Sequence, residues 1–179
     1  GSTHQMLTQI LPRWGITHSY GQITAPETWE GLLTPTTRLC YVETPSNPAL
    51  DLIDLEWLGG FCRQRNILLV VDNIFATPVL QQPTRYGTDL VIHSATKYID
   101  GQGRGLGGVI VGKGELMEKI RFFARHTGPS ISPFNAWMFS KSLDTLALRM
   151  ERHCANALNV AQFLEQRSEV ELVKYPWLP

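Results

Sequence analysis

An α/β fold with a mostly parallel sheet flanked by helices is what this sequence predicts, and three features predict it. Ile67-Leu68-Leu69-Val70-Val71 is an unbroken apolar run rich in β-branched residues, as expected of a strand buried on both faces of a parallel sheet. Leu90-Val91-Ile92 and Val109-Ile110-Val111 repeat the pattern. Between and after these runs, apolar residues recur at three and four positions, so strands alternate with helices.

Taken in order, Ser2 or Thr3 is placed to cap a first helix whose apolar positions are Met6, Leu7, Ile10 and Leu11, with Pro12 and Gly15 near its end. Pro26 suits the first turn of a second short helix. Arg38-Leu39-Cys40-Tyr41-Val42-Glu43 reads as a strand that stops at Thr44-Pro45-Ser46-Asn47-Pro48, where two prolines forbid regular pairing. Leu55, Leu58, Phe61 and Cys62 give helical spacing from Asp54 to about Arg65. A helix is expected from about Glu115 to Arg125. Another starts with Ser132 as cap and Pro133 in its first position. From about Asp144 the stripe Leu143, Leu146, Met150, Cys154, Ala157, Ala161 and Leu164 marks a long helix, and Val170 to Tyr175 reads as a strand. At about 1.5 Å per residue, a helix of ~20 residues spans roughly 30 Å, enough to leave one domain and enter another.

Bulk properties narrow the function classes. Sixteen basic residues balance sixteen acidic ones, which leaves no electrostatic footprint for nucleic acid or an anionic membrane surface. A small-molecule ligand is the expectation. Cys40, Cys62 and Cys154 are odd in number, far apart and outside any C-x-x-C pair, which argues against a disulfide framework or a zinc site. No apolar run approaches the ~18 residues a membrane span needs, and a cytoplasmic protein is expected. The chain has no initiator Met and its last residues only begin a strand, so a piece cut from a longer protein at both ends is expected.

In open α/β sheets, ligands sit beyond the carboxyl ends of the strands. Three of the proposed strands deliver polar residues there: Glu43 and Asn47, then Asp72, then Ser94, Thr96 and Lys97. Pyridoxal phosphate demands such a set: an amine for its aldehyde, a carboxylate for its pyridine nitrogen, and hydroxyl or backbone donors for its phosphate. Each residue alone has a plainer reading. Asp72 could simply be a strand-terminal turn residue, and Lys97 a solvated surface lysine. Their joint position at the ends of buried strands is what raises the case.

Two other motifs are weaker. Gly103-Arg104-Gly105-Leu106-Gly107-Gly108 satisfies G-x-G-x-x-G, but a dinucleotide fingerprint follows a strand and opens a helix, whereas this one precedes Val109-Ile110-Val111. Ser94-Ala95-Thr96-Lys97 satisfies the S-x-x-K of penicillin-binding enzymes, yet the chain has no K-T-G triplet. The histidines at 4, 18, 93, 126 and 153 lack metal-ligand spacing, so no metal is expected; His93, beside Ser94, is the one singled out for more than a structural role. Trp57, Trp137, Phe122 and Phe123 fall at helical positions and are assigned to the core.

Three segments together carry a family resemblance: Glu43-Thr44-Pro45-Ser46-Asn47-Pro48, Val71-Asp72-Asn73 with Phe75-Ala76-Thr77-Pro78, and His93-Ser94-Ala95-Thr96-Lys97-Tyr98. In this order they resemble the Cys/Met-metabolism family of fold-type I pyridoxal-phosphate enzymes, which includes cystathionine synthases and lyases, methionine lyase and homoserine-ester sulfhydrylases. The resemblance covers essentially the whole chain. It implies that Lys97 carries the cofactor and moves protons, Asp72 partners the pyridine nitrogen, Ser94 and Thr96 hold the phosphate, Asn47 bonds the phenolic oxygen and Glu43 supports its loop. It also implies an incomplete fold-type I large domain: residues 1–142 as its central part, 143–166 as a linking helix and 167–179 as the start of a C-terminal domain.

Within the family, synthases and lyases usually carry His-Ser-Asp in the loop after the lysine. The Gly101-Gln102-Gly103-Arg104 found here looks like the O-succinylhomoserine sulfhydrylase branch, and so does Gly128 to Trp137. The implied reaction is γ-replacement, O-succinylhomoserine and sulfide giving homocysteine and succinate. Cystathionine γ-synthase and cystathionine or methionine γ-lyase are the alternatives within the family. A folded piece that self-associates without cofactor or chemistry is the alternative outside it. The resemblance further implies a homo-oligomer, dimer or tetramer. The family's ring-stacking tyrosine lies before the position matching Gly1, and its carboxylate-binding arginine lies in the C-terminal domain, so the 179 residues alone are expected to have little or no turnover.

Overall fold

Residues 68–72 leave no polar side chain until the last position, and they form the centre of a four-stranded sheet. The computed structural model describes residues 1–178. Its strands β1 (Leu39–Glu43), β2 (Leu68–Asp72), β3 (Leu90–Ser94) and β4 (Gly108–Gly112) lie side by side in chain order. β1, β2 and β3 are parallel, and β4 returns antiparallel along β3. Leu69 and Val71 are fully enclosed, as the unbroken apolar run requires, whereas β4 at the sheet edge remains largely exposed.

Each crossover is short and helical. Helix α1 (Leu55–Gln64) starts where the Asp54 carboxylate accepts the amides of Glu56 and Trp57 at 2.9 and 3.0 Å, satisfying two of the orphan donors of the first turn. It buries Leu55, Leu58 and Cys62. Gly59 lies so close to the Tyr86 carbonyl that any Cβ would collide with backbone. Helices α2 (Gly114–Thr127), α3 (Pro133–Leu143) and α4 (Leu146–Glu165) follow β4. Ser132 caps α3 as expected, its hydroxyl accepting the Asn135 amide at 3.1 Å. Ala95, Ile99, Met138, Phe139, Leu146 and Met150 form a second apolar cluster behind the turn that follows β3.

The chain divides into two compact units, Gly1–Thr37 and Arg38–Pro179, and the sheet belongs to the second. In the first, residues 2–14 are helical but pass from an α turn to π and then 3-10 geometry, ending at Gly15 with φ +73°. Neither Ser2 nor Thr3 caps it: both already lie inside the first turn, and Gly1 occupies the cap position. Pro26 opens a 3-10 helix over Pro26–Leu32, in keeping with its fixed φ.

Three further expectations need correction. Residues 170–175 form no strand; a strand needs a ladder partner, and no described residue supplies one. Trp57, Phe122, Phe123 and Trp137 are not core residues. They lie on the outward faces of α1, α2 and α3, and Phe122 keeps 68% of its surface exposed. Helical spacing identifies a shared face without saying whether anything covers it. The predicted stripe holds for Leu146, Met150 and Ala161 of α4, but Leu143 ends α3 instead of joining this helix, and Ala157 is exposed because only part of the long helix is packed upon. Among the described residues no helix is long and apolar enough to cross a membrane, and the three cysteines are free thiols.

Candidate active site

Parallel register brings the predicted residues to one edge. Glu43 and Asp72 are register partners at the ends of β1 and β2, Asp72 pairs with Ile92, and β3 continues two residues further to Ser94. The ladder is prolonged by the Asn73 amide bonding the Ile92 carbonyl at 2.9 Å. Strand ends from three consecutive β-α units therefore open on the same rim, the place where α/β folds bind ligands.

Asp72 is 7% exposed. Its Oδ2 accepts the Tyr41 hydroxyl at 2.8 Å and its Oδ1 the Ile74 amide at 3.2 Å. Burial pushes the carboxyl above its usual range, opposed by the two hydrogen bonds and by nearby His93. Glu43 is also raised, by burial and then by the charge of Asp72, while the Asn47 backbone amide donates to it and favours its ionised form. Two adjacent carboxyls held above their ordinary range, with neutral hydrogen-bond donors on Asp72, make a site that favours an incoming N–H cation. His93 is almost fully buried on β3, its Nδ1 has no hydrogen-bond partner among the described residues, and burial pushes its imidazole down against the opposing pull of Asp72.

The Asn47 loop is built from internal bonds. The Leu50 amide reaches the Ser46 carbonyl at 2.8 Å, the Ser46 amide reaches the Asp51 carbonyl at 3.0 Å, and the Ile53 amide reaches the Thr44 hydroxyl at 3.2 Å. Asn47 itself is exposed. Behind this loop, fully buried Asn73 donates to the carbonyls of Thr77 and Gln81 at 3.0 and 2.9 Å. Gln81 in turn donates to the Thr44 carbonyl and the Asn73 Oδ1, each at 2.8 Å. Asn73 and Gln81 thus tie the loop after β1 to the loop after β2. Sequence reading missed this role; the only signal was a second polar residue directly after a buried strand.

Lys97 sits in the turn Ala95–Ile99, where its φ of −88° and ψ of −122° break the helical geometry. Its side chain is exposed and has no hydrogen bond or ion pair with the described residues. Among the described residues the Ser94 hydroxyl likewise has no hydrogen bond, whereas the Thr96 hydroxyl is engaged with Gly107, accepting its amide at 3.1 Å and donating to its carbonyl at 3.3 Å.

The turn is clamped from behind. Arg149, on α4, donates to the carbonyls of Tyr98, Ile99 and Ser142 at 2.6, 3.1 and 2.9 Å. Gly101, with φ +74°, has no room for a Cβ beside the Arg149 guanidinium. Buried Asp100 accepts the Arg104 amide at 2.6 Å and its Nε at 2.9 Å, and Arg104 also reaches the Ser142 hydroxyl at 2.6 Å. Burial raises the Asp100 carboxyl, but the bonds from Arg104 outweigh it and hold the group below its ordinary range. Arg104, read from sequence only as a branch marker, is therefore a strut of the loop after Lys97. The Gly103–Gly108 run leads into β4 and opens no helix, and no group of three or more His, Cys, Asp or Glu is arranged for a metal among the described residues.

The donor set at this rim fits pyridoxal phosphate. Among the described residues Lys97 offers an unpaired amine, Asp72 a buried carboxyl whose hydrogen-bond donors are neutral, and Ser94 an unused hydroxyl for an anion. When bound, that cofactor supplies an electron sink for carbanions of amino-acid substrates.

Comparison with known proteins agrees in kind. The sequence pattern of the family described as Cys/Met metabolism PLP-dependent enzyme matches residues 1–179. An O-succinylhomoserine sulfhydrylase from Pseudomonas aeruginosa is 48% identical over 179 residues, covering 100% of this chain and 44% of that protein. The crystal structure of metB from Corynebacterium glutamicum superposes with a TM-score of 0.95 at 39% identity, covering 99% of this chain and 46% of the other. A cystathionine gamma-lyase from Lactobacillus plantarum, complexed with L-serine, superposes with a TM-score of 0.96 at 32% identity, covering 99% and 47%. The chain spans less than half the length of these relatives.

Proposed function

The chain belongs to the Cys/Met metabolism PLP-dependent enzyme family, and on that premise we propose that the whole protein catalyses γ-replacement on a homoserine ester. O-Succinylhomoserine and sulfide give homocysteine and succinate, the Cγ–O bond being exchanged for Cγ–S. The observation that carries this reading is the 48% identity, over all 179 residues of this chain, with a protein named O-succinylhomoserine sulfhydrylase. The Gly101-Gln102-Gly103-Arg104 loop supports it.

In this proposal Lys97 holds the cofactor through its Nζ and, once released, moves protons at the substrate carbons. Asp72 accepts the pyridine N–H and keeps it protonated. Ser94 and Thr96 bind phosphate oxygens, which requires Thr96 to share or release its bonds to Gly107. Asn47 donates to the phenolic oxygen, and Glu43 steadies the Asn47 loop through its backbone amide. The likeness to a cystathionine gamma-lyase favours a second reading, elimination or cystathionine synthesis on the same residues. The proposal further places the protein in the cytoplasm as a homo-oligomer, dimer or tetramer.

Two measurements on the whole protein test it. Borohydride should trap pyridoxal phosphate covalently on the wild type and not on Lys97→Ala; equal labelling of both would remove Lys97 from the site, and labelling of neither would favour a cofactor-free role. O-Succinylhomoserine should yield homocysteine with sulfide, and cystathionine as the main product with cysteine would move the assignment to the synthase branch.

A further inference from the structure

Asp72 reaches its position with help from a residue that the proposed mechanism does not use. Tyr41 lies on β1 opposite Val70, two residues before Glu43, so it shares a face of the sheet with Glu43 and Asp72. Its phenol reaches forward across the ladder and donates to Asp72 Oδ2 at 2.8 Å. With Ile74 N–H on Oδ1, each carboxylate oxygen has one protein donor, and the plane of the group is fixed.

We infer that Tyr41 is a positioning residue for Asp72, aiming its carboxylate and holding it ionised so that it can accept a protonated aromatic nitrogen. The inference rests on the proposed pyridoxal-phosphate site. Three kinds of group face Asp72 from the neighbouring strands and its own loop. Glu43 on β1 is another carboxyl and opposes ionisation nearby. Buried His93 on β3 favours the carboxylate to a lesser degree. The Ile74 amide favours it through a longer bond. Against the burial that raises Asp72, the Tyr41 hydroxyl is the foremost group working the other way. A phenylalanine at 41 would leave the same shape and remove that donor, so the carboxyl would become harder to ionise and freer to rotate.

The test uses the whole protein, with Tyr41→Phe and with 3-fluorotyrosine at position 41, whose more acidic hydroxyl is a stronger donor in nearly the same shape. In the cofactor-free protein, the Asp72 carboxyl is followed by carbon-13 NMR. In the loaded protein, cofactor affinity and the pH dependence of its absorption band are measured. Tyr41→Phe should raise the Asp72 titration and weaken pyridoxal-phosphate binding by roughly tenfold or more, as loss of a hydrogen bond to a charged group does. Fluorotyrosine should shift the titration the other way. An Asp72 titration that is the same in all three proteins overturns the inference, whether or not Tyr41→Phe folds well, because the fluorinated protein keeps the packing. If the wild type forms no borohydride-trapped cofactor at all, the proposed function fails and this inference with it. If the wild type loads and the variants load identically, only the inference fails.

Discussion

Replacing Arg149 by methionine tests how the Lys97 turn is held. Methionine keeps most of the aliphatic stem, while the guanidinium bonds to the carbonyls of Tyr98, Ile99 and Ser142 disappear. A hydrogen bond from a charged donor contributes about 1.5–3 kcal/mol, and the half-buried position of Arg149 argues for the lower end. Two of the three bonds fall on the turn itself, so its local stability should drop by about 2–3 kcal/mol. The amides of Asp100 and Gly101 report on that stability directly, since they bond to the Ala95 and Lys97 carbonyls at 2.8 Å each. Their hydrogen exchange should accelerate by roughly 30- to 150-fold, at about 1.4 kcal/mol per tenfold, while amides in β2 keep their wild-type rates. Acceleration below about twofold would show that the apolar cluster around Ile99 and Met150 holds the turn without the clamp.

Other perturbations address the core and the loop. Leu58→Ala empties a fully buried position on α1 and should cost about 2–5 kcal/mol in denaturant titrations; a cost under 1 kcal/mol would mean the helix collapses freely onto the sheet. Asp100 has a depressed folded-state pKa against an ordinary value of 3.8. Its stabilisation of the 100–107 loop is thus fully present above the ordinary value and lost as pH falls through the depressed one. Loop proteolysis should therefore rise at acid pH in the wild type and show no such step in Asp100→Asn. The 179-residue chain expressed alone should turn over O-succinylhomoserine at least 100-fold more slowly than the whole protein, on the order of what misplacing catalytic groups costs; comparable rates would show that the site is complete within it.

Much of the sheet was legible because burial on both faces forces a contiguous apolar run. Positions 67–71 and 90–92 announced β2 and β3, and the polar residue that ended each run marked the rim of the site. Direction was not legible: Val109 to Val111 looks like its neighbours, and only the short Gly-rich return after Lys97 makes β4 antiparallel. Residues 170–175 had strand propensity without a partner, and pairing is decided by chain far away in sequence. The clamp by Arg149 and the tie between Asn73 and Gln81 were invisible for the same reason. Each joins side chains to backbone carbonyls, which have no signature in residue type. The outward aromatics of α1 to α3 show the converse limit, since periodicity defines a face and cannot report its neighbour.

The turn after β3 is pinned twice, by Thr96 against Gly107 at its neck and by Arg149 behind Tyr98 and Ile99. Residues 102–106 therefore hang from a closed neck, where the exposed side chains of Gln102 and Leu106 can change without touching either pin. In such an architecture the placement of the lysine is separable from the outer surface of the loop: the neck and clamp hold the one, while Asp100 and Arg104 brace the other from inside.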